Sequence, residues 1–228
     1  MKITLCLLTL NEIEGCKHDV PKIKRGGFEK IYAVDGGSKD GTIEFLHQQK
    51  IPVYVQKIKG YNPAHILAVE KCRTDAIIFF HPKGSVPVSN TLKFRKFFEQ
   101  GYEFVVASRI IKNGRNEEDK KILKPRKWLT LILAVTASLI WRRNGNLIWD
   151  VLHGFRGASV KAFKKINPKK FGRTIDIEEV IESYRKDIKR IEFPTRERSR
   201  ISGQTHFKTI PFGLDIMKYL FRKIFAAN

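Results

Sequence analysis

The sequence is poor in acidic residues, in cysteine and in long hydrophobic runs. Its 228 residues include 23 Asp and Glu against 44 Lys and Arg, a net charge of +21, and 3 Cys. Cys6, Cys16 and Cys72 lack the paired spacing of a zinc site or a disulfide framework, so neither is expected to organise the fold. Because no secretory signal pattern opens the sequence, the cysteines predict free thiols in a reducing, cytoplasmic setting.

The longest apolar run is WLTLILAVTASLIW, Trp128 to Trp141. Its 14 residues fall short of the roughly 20 that a bilayer-spanning helix needs. Tryptophan at both ends and flanking Lys and Arg are typical of a helix lying at a membrane interface. A buried helix explains the run equally well, and the sequence leaves both interpretations open.

The positive charge is concentrated in the second half of the chain. Residues 1–120 carry 20 Lys and Arg against 14 Asp and Glu, whereas residues 121–228 carry 24 against 9. Such an excess suits phosphate, nucleic acid or an anionic membrane surface, and it also suits a solvated basic face. Nucleic acid is not an expected partner, because no recognition-helix, zinc-finger or RNA-binding signature is present.

Strand and helix patterns alternate through the first half. The predicted strands are 2–10, 30–35, 52–57, 76–80 and 103–108, and the predicted helices between them are 42–50, 63–73 and 89–99. Near-continuous Val- and Ile-rich strands suit a sheet that helices cover on both faces. The alternation predicts a doubly wound α/β sheet, whose ligands bind outside the carboxyl ends of the strands.

The second half is less regular. Helices are predicted at 127–141 and 176–186, a strand at 188–193, a basic loop at 194–208 and a final helix at 212–226. In that last segment Leu214, Met217, Phe221 and Ile224 recur at helical spacing among Lys and Arg. The pattern predicts a basic amphipathic helix, which either docks on the core or lies on a membrane.

The most specific motif is VDGGSKDGT, where a buried strand delivers Asp35 to its carboxyl end. Gly36 and Gly37 allow a tight turn, and Asp40 is placed to cap the next helix. A carboxylate there can accept hydrogen bonds from the base or ribose of a nucleotide. By itself the motif is equally compatible with a structural turn.

Six motifs in order narrow the choice: LLTLNE, VDGGSKDGT, a strand ending near position 81, ASR at 107–109, DVLHGFRG and RISGQTHFK. Together they resemble the family-2 inverting glycosyltransferases of GT-A fold, most of all the dolichyl- and polyprenyl-phosphate mannose synthases. The resemblance implies a mixed, mostly parallel sheet flanked by helices. It implies a catalytic domain over 1–208, with a nucleotide-sugar half (1–110) and an acceptor half (111–208), followed by a basic amphipathic helix (209–228).

The resemblance also implies roles for individual residues. Thr9, Asn11 and Glu12 would line the nucleotide pocket, and Asp35 would contact the base or ribose. Asp150 matches an acidic residue near the acceptor, Phe155 and Arg156 continue that segment, and Arg200 matches an arginine that approaches the phosphates. Thr205 and His206 stand where the family has Ser-Lys, which keeps a hydroxyl but weakens the positive charge.

The sequence departs from the family at its metal site, where His81 and Lys83 replace the two aspartates of Asp-x-Asp. A protonated lysine cannot bind a hard cation, but with Arg200 it can stabilise charge that grows on a leaving diphosphate. We therefore expect no metal ion as cofactor, with Lys83 and Arg200 in its place and His81 in the substrate site. The alternatives are a non-catalytic protein of GT-A fold, and a metal held by His81 and Asp150.

The expected function is sugar transfer from a UDP- or GDP-linked donor to a polyprenyl phosphate or a glycan, by a protein peripheral to the cytoplasmic membrane face. A sugar hydroxyl needs a general base, for which Asp150 is the candidate. A lipid phosphate is already anionic and needs positioning by charge, which His153 and Arg156 could supply. His153 is equally compatible with a structural role.

Overall fold

The computed structural model of the chain describes residues 1–120, 122–203 and 209–225. These residues form a seven-stranded mixed sheet in the order β3-β2-β1-β4-β6-β5-β7, with helices on both faces. The strands are β1 (Ile3–Thr9), β2 (Lys30–Asp35), β3 (Val53–Val55), β4 (Ala76–Phe80), β5 (Phe104–Ser108), β6 (Arg156–Ser159) and β7 (Arg190–Pro194). The helices are α1 (Ile13–Asp19), α2 (Thr42–Gln48), α3 (Tyr61–Lys71), α4 (Lys93–Glu99), α5 (Pro125–Trp141), α6 (Val160–Ile166), α7 (Ile175–Arg185) and α8 (Thr209–Phe225).

The parallel half of the sheet has the arrangement that its apolar strands predict. β1 lies between β2 and β4 and is parallel to both, and all seven of its residues are buried. Successive side chains of a strand point to opposite faces. Cys6 and Leu8 therefore enter one hydrophobic cluster, and Leu5 and Leu7 enter the other. The α/β prediction is confirmed.

The short strand β6 is a feature that the sequence does not predict. It runs antiparallel between β4 and β5 and joins the two halves of the sheet. Its four residues, Arg-Gly-Ala-Ser, have neither the length nor the hydrophobicity of a strand signal. Gly157 is needed there because a Cβ atom would lie 2.9 Å from the Ile77 carbonyl oxygen.

The two apolar helices of the second half each bury one face only. α5 contributes Leu133, Ala134 and Ala137 to the cluster that contains α7, and α8 contributes Tyr219 and Leu220. The C-terminal helix is therefore confirmed, and it docks on the core. Within the described ranges, no helix is long and apolar enough to cross a membrane.

Arg156 is the largest fully buried side chain. Its guanidinium donates to the backbone oxygens of His153 and Asp176, and Nη1 lies 3.2 Å from Oε2 of Glu179. A side chain enclosed in this way cannot reach a substrate. The expectation that Arg156 binds substrate is corrected accordingly: it joins β6 to the start of α7.

Glu179 should give the unfolding free energy an unusual pH dependence. Burial raises its pKa to about 8, although Arg156 opposes the shift. An unfolded glutamate ionises near about 4.3. Between these pKa values Glu179 keeps its proton in the folded chain and loses it in the unfolded chain. The contribution of Glu179 to the unfolding free energy therefore falls as pH rises from about 4.3 to about 8.

We therefore expect Glu179→Gln to gain stability relative to the wild type as pH rises from about 5 to about 8. Urea unfolding monitored by circular dichroism at intermediate pH values measures the difference. Glu70→Gln, which changes an exposed glutamate of α3, is the control and should follow the wild type. Parallel pH profiles for wild type and Glu179→Gln would contradict the raised pKa.

Candidate active site

The Asp35 turn forms one wall of the site at the carboxyl ends of β1 and β2. The Asp35 carboxylate accepts hydrogen bonds from the backbone N–H groups of Gly37 and Ser38 and from the hydroxyls of Thr9 and Ser38, all at 2.6–2.7 Å. Asp35 is fully buried. Its first contribution is thus to fix the turn, and a ribose hydroxyl would have to replace a partner such as the Ser38 hydroxyl.

The segment after β1 is tied to the same turn. Asn11, at a φ of 51°, donates its N–H to the Ser38 hydroxyl, and its side-chain oxygen accepts from Lys39 N–H. Glu12 N–H donates to the Thr42 hydroxyl at 3.0 Å. Thr9, Asn11, Glu12 and Asp35, far apart in sequence, therefore meet in one place.

The loop after β4, residues 81–84, forms the opposite wall and is held by α1. The buried Asp19 accepts a hydrogen bond from Gly84 N–H at 2.8 Å. Gly15 lets the helix approach closely, because a Cβ atom there would lie 2.1 Å from the Pro82 oxygen. α1 has only seven residues, too few to show periodicity, which is why the sequence does not predict it.

Arg200 reaches this wall from the loop after β7. Its Nη2 lies 2.6 Å from both carboxylate oxygens of Glu12. The backbone of the same loop pairs with the loop after β4, since Ile201 N–H donates to the Lys83 oxygen and Arg198 N–H to the Ser85 oxygen. The loops after β4 and β7, more than 100 residues apart in sequence, are thereby fixed beside Glu12 and the Asp35 turn.

Lys83 is half-buried beside this ion pair. Burial lowers its pKa from the ordinary value; the charge of Arg200 acts in the same direction, and that of Glu12 opposes it. Among the described residues, none forms a hydrogen bond or salt bridge with the Lys83 ammonium. A bound diphosphate would supply the missing anionic partner and favour the charged form of the lysine.

His81 lies deeper, next to the ring of Tyr61, with the ring centroids 5.9 Å apart. Burial, with the nearby Lys83 charge, holds its pKa well below the usual range, so the imidazole is neutral at neutral pH. Its Nε2 is buried without a hydrogen-bond partner in the described part of the chain. Gly154 leaves the space in front of it open, since a Cβ atom there would lie 2.9 Å from this nitrogen.

Arg109, which follows β5, organises a second group of charged side chains. Its backbone N–H and guanidinium donate three hydrogen bonds of 2.8 Å to the Asp150 carboxylate, and Nη1 donates to Glu197 at 2.9 Å. Burial alone would raise the pKa of Asp150, but the Arg109 charge and hydrogen bonds lower it to about 2. Such a carboxylate is a weak base, so the expectation of Asp150 as general base is corrected to a role in holding Arg109.

His153 is also held in place. Its Nδ1 faces the carbonyl oxygen of Ala107, which must accept, so this nitrogen carries the proton. Burial and the Arg109 charge lower the pKa of His153 to about 4 despite Asp150 and Glu197. A neutral His153 in this tautomer can only accept at Nε2, which does not suit the phosphate-holding role expected from the sequence.

The structure therefore brings Lys83 and Arg200 together beside Glu12, with His81 next to Lys83. Asp150, His153 and Glu197 form a second group around Arg109. Thr205 and His206 lie outside the described residues. Sequence reasoning names Arg109 only within the ASR motif and misses Glu197 and Tyr61. The basic run RERSR contains Glu197, and a single acid among arginines is the one signal that could have indicated it.

Comparisons with known proteins identify the family. Residues 10–167 match the family described as Glycosyl transferase family 2. Glycosyltransferase AglJ of Haloferax volcanii is 25% identical over 232 residues, which cover 98% of this chain and 73% of that protein.

Solved structures share the fold. Glucosyl-3-phosphoglycerate synthase of Mycobacterium tuberculosis, in complex with Mn²⁺, UDP and glucosyl-3-phosphoglycerate, superposes with a TM-score of 0.69 at 15% identity, covering 97% of this chain and 79% of that one. Its complex with Mg²⁺ and UDP gives 0.72 at 14% identity, with the same coverage of both chains. The predicted GT-A fold is confirmed.

These complexes correct the expectation about metal ions. We expect no metal cofactor from the sequence, yet structures with this fold hold Mn²⁺ or Mg²⁺ together with UDP. The residues of this chain fit such an ion poorly, because the end of β4 carries His81 and Lys83. Across the described ranges, no three His, Cys, Asp or Glu side chains are placed to hold a metal. We therefore derive no chemical step through an ion.

Arg109 should be essential to stability as well as to the site. Arg109→Met leaves the Asp150 carboxylate, which is 0% exposed, without its cation, and breaking a buried pair in this way costs about 3–5 kcal/mol. Chemical denaturation measures the loss. Adding Asp150→Asn should recover part of it, because the amide carries no charge.

Arg185→Met is the matched control. The exposed Arg185 pairs with Glu182, and without Arg185 that carboxylate keeps Lys186 and Lys223 as partners. The expected cost is below about 1 kcal/mol. Equal losses of unfolding free energy for Arg109→Met and Arg185→Met would contradict the inference that the pair of Arg109 with Asp150 stabilises the fold.

Proposed function

The chain belongs to glycosyl transferase family 2, and we propose that this glycosyltransferase moves a sugar from a UDP- or GDP-linked donor to a polyprenyl phosphate at the cytoplasmic face of a membrane. A phosphate oxygen of the acceptor bonds to the anomeric carbon as the bond from that carbon to the donor diphosphate breaks. The nucleoside diphosphate leaves with the electron pair. Inversion at the anomeric carbon is consistent with the family.

The donor side of the proposal depends on Lys83 and Arg200. Both lie at the carboxyl end of β4, opposite the Asp35 turn, which suits a diphosphate whose nucleoside lies towards β2. The Lys83 ammonium has no partner in the described chain, and Glu12 holds Arg200 beside it. Positive charge fixed at this point stabilises the negative charge that develops on the leaving group.

The choice of acceptor depends on one observation: Asp150 and Glu197 are not placed to act as a general base. Asp150 and Glu197 are both bound by Arg109, and the charge of Arg109 lowers the pKa of each against the effect of burial. A hydroxyl acceptor needs a base that removes its proton. A phosphate monoester is already anionic at neutral pH and needs no base. It therefore suits a site in which Arg109 binds both Asp150 and Glu197.

The expected reducing compartment has support as well. Cys6, Cys16 and Cys72 are free and buried, and none pairs with another. This arrangement suits the cytoplasmic side, where thiols remain reduced.

A transfer assay tests the proposal. The chain is incubated with radiolabelled UDP- or GDP-sugars, Mn²⁺ and one of three acceptors: a short-chain polyprenyl phosphate, the corresponding polyprenol or a saccharide. We expect product with the phosphate and none with the alcohol, because Arg109 holds Asp150 and Glu197, the carboxylates nearest to it among the described residues. Product with a saccharide acceptor and none with the lipid phosphate would contradict the choice of acceptor.

Lys83→Ala should lower kcat about 100-fold, the order of loss when one fixed electrostatic contact to the developing charge is removed. Lys57→Ala, which removes an exposed lysine after β3, should leave the rate unchanged. Lys83→Arg keeps the charge and should recover part of the activity. Circular dichroism confirms folding, and near-normal turnover of Lys83→Ala would remove this residue from the mechanism.

A further inference from the structure

Two helices carry continuous apolar stripes that face solvent. On α5 the exposed residues Trp128, Ile132, Val135 and Leu139 follow the spacing of one helix face, and Leu139 is 80% exposed. On α8 the exposed residues are Leu214, Met217, Phe221, Ile224 and Phe225. Single exposed apolar residues are ordinary, but two complete stripes indicate a surface that binds something.

The two helices with exposed stripes pack on one shared hydrophobic cluster. The opposite faces of α5 and α8 are buried in the single hydrophobic cluster that also contains Ile177, Val180 and Ile181 of α7. Salt bridges fix α8 beside this cluster: Arg173 binds Asp215, and Lys223 binds Glu182 at 2.5 Å. Phe171, in the loop that carries Arg173, is also exposed and extends the apolar area beside α8.

The charge around the stripes is positive. α5 has no acidic residue; Arg126 and Lys127 precede its apolar run, and Arg142 and Arg143 follow it. On α8, Lys218 and Arg222 accompany the stripe, and Asp215 is neutralised by Arg173. An apolar stripe with a basic border matches the interface of an anionic bilayer, where the side chains enter the acyl boundary and the cations meet headgroups.

The same charge disfavours a second copy of the chain as the occupant. A symmetric contact through these stripes would bring the basic borders of two molecules, each with a net charge of +21, against one another. Like charges in contact oppose association. Anionic lipid removes this repulsion, and we therefore take the lipid surface as the occupant.

We propose that α5 and α8 together form a membrane-docking surface that binds anionic phospholipid bilayers. The inference rests on the proposed lipid acceptor, because docking would bring the site to its substrate. Thr209, the first residue of α8, is six residues beyond Gly203 in the Arg200 loop. An extended chain of that length spans at most about 20 Å, so the first residue of α8 lies within that distance of Gly203.

Vesicle co-sedimentation of the full chain tests the surface, without any sugar donor. We expect binding to phosphatidylcholine vesicles that contain phosphatidylglycerol, weaker binding to phosphatidylcholine alone, and weakening by salt. Phe221→Ser combined with Phe225→Ser should lower the partition coefficient at least about tenfold, because two large apolar side chains no longer enter the bilayer. Leu139→Ser on α5 should lower it independently.

Val55→Ser is the matched control, since Val55 is a similarly exposed apolar residue on β3, outside both helices. It should bind vesicles like the wild type. Equal binding by the α8 double variant and the wild type would overturn the docking surface. So would a dimer in analytical ultracentrifugation that dissociates in the α8 double variant while the wild type ignores vesicles.

Transfer to a water-soluble, short-chain polyprenyl phosphate separates the two proposals. The docking variants should keep this activity, because their substitutions lie outside the site. Transfer without vesicle binding would overturn the surface and leave the function standing. Vesicle binding without transfer to any acceptor would overturn the function and leave the surface standing.

Discussion

The Arg109 guanidinium holds together three segments that the chain brings from far apart. It lies at the end of β5, binds Asp150 before β6, and binds Glu197 after β7. Each ion of this group is buried or nearly so, and each is tolerable there only because the others are present. The loop that carries Arg200 therefore depends on the ion pair between Arg109 and Glu197.

The same constraint underlies the proposed choice of acceptor. A carboxylate that accepts three hydrogen bonds from one arginine has little affinity for another proton. The segment WDVLHGFRG first suggests a catalytic acid. In the structure its Asp150 accepts hydrogen bonds from Arg109, and its Arg156 donates to the backbone at the start of α7. Lys83, and Arg200 in its pair with Glu12, supply the positive groups at the end of β4 on which the proposed binding of the donor diphosphate depends.

The end of β4 carries His81 and Lys83, a pair that does not suit a metal ion. Relatives with the fold hold Mn²⁺ or Mg²⁺ with UDP, and the metal-free expectation is wrong in that respect. The local chemistry of this chain is still not that of a carboxylate pair: His81 is neutral, and burial lowers the pKa of Lys83. The backbone around them is nevertheless firmly fixed: Gly15 admits α1, Asp19 holds Gly84, and the Arg200 loop pairs with Lys83 and Ser85.

The sequence by itself determined the parallel half of the sheet, its flanking helices and the Asp35 turn. Continuous apolar strands and the residues Asp-Gly-Gly act over short distances, where composition and spacing leave few alternatives. It also indicated that Lys83, Arg200 and Glu12 belong to one site, through motifs in register. Only the tertiary structure decided that β6 lies antiparallel in the sheet, that Arg156 is enclosed, and that Asp150 serves Arg109. Those outcomes depend on which buried charges meet across long separations in sequence, and no local pattern encodes that meeting.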